Sequence, residues 1–205
     1  MTKLTNDQKK NLCINLLKCD DEASVVKILK KNKLWDDSMW RARGDVENNF
    51  GLVNSQTDDP DKAIVEILTN STDARLMNGF YEEGLTLSHK DRPNSVREAV
   101  AKLIQKSSNS KDKSTGQIYN WTQTELREQG DLITITATGK KNSPCLTITD
   151  LGEGQTPDNV HNTFMALLKS NKSPYPFLQG RNCQGGTAML NHSRNEEVVA
   201  LLITR

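Results

Sequence analysis

The sequence predicts a mixed α/β (α+β) fold, and three observations predict it. Apolar residues recur at helical spacing through the first 34 residues and again between residues 60 and 104. The period then changes at Asp131 to two short β-prone runs. A polar turn joins those runs, the pattern of an antiparallel hairpin. The chain has 205 residues, room for one domain and an accessory segment.

Each element follows in order. Asn6 begins a helix running to about Cys19, with Leu12, Cys13, Leu16 and Leu17 as its apolar stripe. Asp20 or Asp21 caps a second helix bearing Val25, Val26, Ile28 and Leu29. Its basic face, Lys27, Lys30, Lys31 and Lys33, reads as solvated, with contact to an acidic partner as the alternative. Residues 34–51 connect this appendage to the rest. They hold Trp35 and Trp40, two of three tryptophans, expected to pack the appendage onto the main domain. The expected division is 1–50, appendage and connector, and 51–205, main domain.

Asp58-Asp59-Pro60 starts a long helix, with proline in the first turn, and Gly84 closes it. Arg92-Pro93-Asn94-Ser95 opens another, with Val96, Ala99, Val100, Leu103 and Ile104 on one face. Residues 107–115 are polar and read as a loop. Residues 132–138 and 145–149 are the two strands, and residues 139–144 the turn. After Pro157, the residues Val160, Phe164, Leu167 and Leu168 mark a further helix. The run 198–205 reads as a buried strand. A buried strand at that position predicts that the natural chain continues past Arg205.

Composition excludes several functions. Lys+Arg 27 against Asp+Glu 26 leaves no basic excess, so a nucleic-acid grip is disfavoured. Aromatics at 5% disfavour a base-stacking platform. Mean hydropathy is -0.66, and no run of about 18 apolar residues exists to span a membrane. The N-terminus has no apolar signal core. Cys13, Cys19, Cys145 and Cys183 form no CxxC pair, and His89, His161 and His192 show no zinc spacing. Reduced thiols and a cytoplasmic location are expected.

Three segments carry chemistry. In EILTNSTDA, Glu66, Asn70 and Asp73 fall at i, i+4 and i+7, one helix face. Alone, this is equally the pattern of a solvated polar face. In ITDLGEG, Asp150 ends an apolar strand and Gly152 and Gly154 follow. Such glycines permit close backbone approach or positive φ, and the aspartate can accept from a ligand amino group; a plain strand-to-loop turn is the alternative. In GRNCQGGT, Gly180, Gly185, Gly186 and Thr187 precede a short helix. Backbone N–H groups at such a turn suit an anion. The run is neither GxxxxGK[ST] nor a dinucleotide fingerprint.

Together and in this order, EILTNSTDA, ITDLGEGQT and GRNCQGGTAML resemble the motifs of the GHKL ATPase superfamily, which includes gyrase B, heat-shock chaperone ATPases, histidine kinases and MutL. The first is most similar to the chaperone version. Lys169-Ser170 falls where the chaperones carry a Lys-Ser pair facing phosphates. The resemblance covers residues 59–205 and implies a Bergerat-type two-layer sandwich binding ATP and Mg²⁺ under a mobile lid. It implies Glu66 as general base, Asn70 as Mg²⁺ ligand, and Asp150 on the adenine amino group. Asp73 and Ala74 would line the pocket, Gly152 and Gly154 admit the base, and Gly180, Gly185, Gly186 and Thr187 shape the lid turn.

Departures qualify what is implied. Cys183 stands where many relatives carry a lid glycine, and Gln184 precedes a paired Gly185-Gly186. Family members continue into a second domain that supplies a cation to the γ-phosphate; if the chain is complete without it, slow or partner-dependent ATP hydrolysis is expected. Histidine-kinase function is disfavoured, because no histidine precedes Glu66. Residues 40–50 have a looser resemblance to the lead-in of uncharacterised, often defence-associated bacterial GHKL ATPases. There Arg43 or Asn49 would touch nucleotide across a dimer, with a packed connector as the alternative. A homodimer or a partner protein engaging residues 1–50 is the expected assembly. The competing function is a non-catalytic nucleotide-sensing or scaffold module.

Overall fold

A computed structural model describes residues 4–42, 46, 59–105, 121–160, 162–163, 172–180, 189–190, 192 and 200–204. Among them are six α-helical segments and a two-stranded antiparallel sheet. Helix α1 (Asn6–Leu17) starts with a reciprocal cap: Thr5 accepts from the Gln8 N–H, and Gln8 accepts from the Thr5 N–H. Helix α2 (Glu22–Lys31) is capped by Asp21, which accepts from the Ser24 N–H at 2.8 Å. Lys30 and Lys31 sit in its last turn, where cations complement the exposed carbonyls. Lys27, Lys30, Lys31 and Lys33 are all exposed. Trp35 and Trp40 meet each other edge to face, 5.0 Å between ring centroids. Trp40 remains 53% exposed, so this pair is a local clasp and Trp40 is not a buried plug.

Helix α3 (Pro60–Glu82) begins where Asp59 accepts from the Asp61 N–H, and ends before Gly84, which takes φ +64°. Its first two turns are largely exposed; its second half is buried on several sides. Leu76, Met77 and Phe80 join Ala99, Leu103, Phe177 and Leu178 in the core. Burying each large side chain there is worth about 1.5–3 kcal/mol. Helix α4 (Val96–Ala99) opens at Ser95, which accepts from the Glu98 N–H, and runs into a π-type turn, Val100–Ile104. The wide turn is closed by the Gln105 N–H on the Val100 carbonyl. Gly79 lets α3 approach it: a Cβ there would stand 3.0 Å from Leu103 Cβ.

Helix α5 (Gln123–Gly130) was not expected from apolar spacing, because it is polar almost throughout. Its start is a second reciprocal cap, Thr122 with Glu125. Strands β1 (Ile133–Lys140) and β2 (Ser143–Asp150) pair from Ile133↔Asp150 to Lys140↔Ser143. The ladder therefore runs further than the sequence predicts. Gly139 and Pro144 are paired, and only Lys141 and Asn142 make the turn. Gly139 is what permits this: it takes φ +79°, and a Cβ there would stand 3.3 Å from Asp20 Cβ. The hairpin tip thus rests on the link between α1 and α2, where Cys145 Sγ also approaches the Cys19 carbonyl at 3.8 Å.

Helix α6 (Pro157–Val160) follows the site loop. The expected C-terminal strand is corrected. Residues 200–204 carry no strand, and Leu201, Leu202 and Ile203 are exposed at 44–45%. Apolar composition does not make a strand without a partner to bond, and among the described residues this run has one side-chain anchor, the Gln155 N–H on Thr204 Oγ1. Residues 107–115, 164–168, 198–199 and Arg205 lie outside the described residues. No described helix is long and apolar enough to cross a membrane.

Candidate functional site

The site grows from one face of α3. The i, i+3, i+4 spacing brings Asn70, Asp73 and Ala74 to the same side of the helix. There α3 packs against β2 and the loop that leaves it. Gly152 lies directly on Ala74: a Cβ on Gly152 would stand 2.4 Å from Ala74 Cβ and 2.8 Å from its carbonyl carbon. One residue on, the Glu153 N–H donates to the Ala74 carbonyl at 3.1 Å. Arg75 braces the same loop by donating to the Leu151 carbonyl. Asp150, at the end of β2, is exposed and accepts from the Gly152 N–H at 3.0 Å. Gly154 takes φ +69°. The two glycines thus do different work: one admits close contact and the other turns the chain.

Gly152→Ala is therefore expected to push the loop off α3. The obstacle is backbone as well as side chain, so about 1–3 kcal/mol of stability should be lost, read as a lower urea midpoint at unchanged slope.

The third segment reaches α3 through Asp73, which is 1% exposed. Its Oδ1 accepts from the Gln179 N–H at 3.0 Å, and its Oδ2 from the Gly180 N–H at 2.9 Å. The Lys172 ammonium donates to the same Oδ2 at 2.9 Å and to Asn70 Oδ1 at 2.7 Å. A Cβ on Gly180 would stand 2.8 Å from both Asn70 Oδ1 and Lys172 Nζ. Asp73 therefore lies beneath the site and ties segment 172–180 to the helix. Burial pushes the Glu153 carboxyl above its ordinary range, and the Lys172 ammonium pulls it part of the way back.

The structure thus brings together Asn70, Asp73, Ala74, Gly152 and Gly180, with Asp150 two residues before Gly152. Glu66 is one turn before Asn70, exposed, and has no partner among the described residues. Lys169, Ser170, Gly185, Gly186 and Thr187 lie outside the described residues, as do Arg43, Asn49 and Cys183. Lys172, Glu153 and Gln179 were not singled out from sequence. Neither spacing nor composition marks them; the apolar run Tyr175-Pro176-Phe177-Leu178 beside Gly180 is the signal that could have shown this segment docking on a core.

The site suits a hard cation in one respect: Asn70 offers an amide oxygen, and a cationic group already stands on it. Among the described residues no cluster of three His, Cys, Asp or Glu could hold a metal by itself. Any metal here would need oxygens from its ligand as well. In comparisons with known proteins, no family model, no curated protein and no solved structure matches the chain.

Proposed function

We propose that this chain is a Mg²⁺-dependent ATP-binding protein of the Bergerat type that hydrolyses ATP slowly and uses the cycle as a conformational or dimerisation switch. One observation carries the reading. Two segments that resemble GHKL motifs, about eighty residues apart in sequence, meet on one face of α3, and Gly180, the first residue of the third, is held on the same face. The contacts of Ala74 with Gly152 and of Asp73 with Gly180 support the reading.

Each residue then has a task. Asp150, exposed at the strand end, accepts from the adenine amino group. Gly152 and Gly154 keep the loop low enough for a base to lie against it. Asn70 holds Mg²⁺ together with phosphate oxygens, and that cation, when bound, neutralises charge on the phosphates. Glu66, exposed one turn away, accepts a proton from attacking water. Gly180, whose own N–H is held by Asp73, leads into the Gly-rich run that would present N–H groups to the phosphates.

The test is a thermal-shift comparison with ATP, ADP and GTP, each with and without Mg²⁺. A ligand at a hundredfold excess over its Kd adds about 2.7 kcal/mol of apparent stability, several degrees for a domain of this size. ATP and ADP with Mg²⁺ should raise Tm and GTP should not. Asp150→Asn should abolish the shift. An unchanged ATP shift in Asp150→Asn removes the site assignment.

A second reading, a non-catalytic nucleotide-sensing or scaffold module, has one observation in its favour. Glu66 has no described partner to orient it, and a general base works best when held. Binding without measurable turnover would select this reading.

A further inference from the structure

We propose that Lys172 is a latch on the cation site. In the ligand-free molecule its ammonium occupies the Asn70 oxygen, and metal-bound nucleotide must displace it to bind. This rests on the nucleotide reading above and adds to it a residue and a regulatory role.

The geometry carries the inference. Nζ of Lys172 stands 2.7 Å from Asn70 Oδ1 and 2.9 Å from Asp73 Oδ2. Mg²⁺ takes oxygen ligands at about 2.0–2.1 Å in near-octahedral order and keeps several waters. Gly180 packs close on the same pair: a methyl group there would stand 2.8 Å from both Asn70 Oδ1 and Lys172 Nζ. A cation bound at that oxygen would stand beside the ammonium, and the two positive charges repel. Each therefore disfavours the other.

Release leaves the segment attached. Asp73 keeps the N–H groups of Gln179 and Gly180 after the ammonium departs. The Lys172 side chain is 26% exposed, so it has a path outward. Polyphosphate charge offers the ammonium a new partner. A latch of this kind sets a threshold: free Mg²⁺ does not open the site, whereas Mg²⁺ carried by a polyphosphate does.

The experiment measures Mn²⁺ binding by electron paramagnetic resonance on the full chain, with a non-hydrolysable ATP analogue present. Lys172→Met should lower the Mn²⁺ half-saturation concentration about tenfold, the equivalent of one modest charge-assisted hydrogen bond. Lys172→Gln should shift it in the same direction by less, and keeps a donor for Asp73 if the methionine variant folds poorly. Lys172→Arg should not lower it. In an Asn70→Ala background the Lys172→Met effect should vanish, because the latch acts through that oxygen. A half-saturation that is unchanged or raised in both neutral variants overturns the latch and leaves the nucleotide reading intact. An effect that persists without Asn70 also overturns it, since general charge repulsion would then explain the shift. Absence of Mn²⁺-nucleotide binding in wild type and in both neutral variants overturns the latch and the nucleotide reading together.

Discussion

Asp73→Ala is expected to lower stability by about 1–3 kcal/mol, the cost of leaving donors without their buried acceptor. The carboxylate is 1% exposed and receives three donors: two backbone N–H groups and an ammonium. Alanine would strand all three. The ammonium can recover water, because Lys172 is partly exposed, but the Gln179 and Gly180 N–H groups lose the acceptor that ties them to the helix. Segment 172–180 also brings Phe177 and Leu178 into the core, so its detachment costs apolar burial too. Asp73→Asn retains an acceptor and should cost less. Urea unfolding of both variants is the measurement. A loss below about 1 kcal/mol for alanine, the size of an ordinary surface change, would mean that Asp73 does not hold this segment.

The largest expected effect on activity is at Glu66. Glu66→Ala should lower ATP turnover by about a hundredfold or more, the contribution of a general base, with nucleotide affinity unchanged. The affinity should survive because Glu66 is exposed and bonded to none of the residues that hold the site together. Turnover and binding must be measured on the same preparation, since a domain with little activity can lose it for trivial reasons. Equal turnover in the variant and wild type would remove Glu66 from the chemistry; a parallel loss of affinity would make it a binding residue.

The two predictions differ in how legible their residues were. The Asp59-Pro60 start, the Gly84 stop and the spacing of Asn70, Asp73 and Ala74 are local signals, and helix geometry converts them into a shared face. The role of Asp73 is not local. Its partners lie about a hundred residues away, and periodicity carries no information about which side of a buried helix meets which distant segment. Lys172 was missed for the same reason. Helix α5 is a different failure: Thr122-x-x-Glu125 is a readable start signal, but the residues after it have no apolar stripe. The C-terminal run misled in the opposite sense. Its composition is that of a strand, yet hydrogen-bonded neighbours and not composition make a strand. The hairpin is legible in outline but longer than its composition suggests, because Gly139, a turn-type residue with positive φ, lies within the ladder.

The paired strands have one further consequence. Their eight-residue ladder is roughly 25 Å long. One end is seated on the Asp20 backbone through Gly139, and the other carries Asp150 beside Ala74. Cross-strand bonding, including Thr134 to Thr149 at 2.6 Å, ties the two strands along this length. The two N-terminal helices and the strand-end aspartate are thus joined, end to end, by one hairpin.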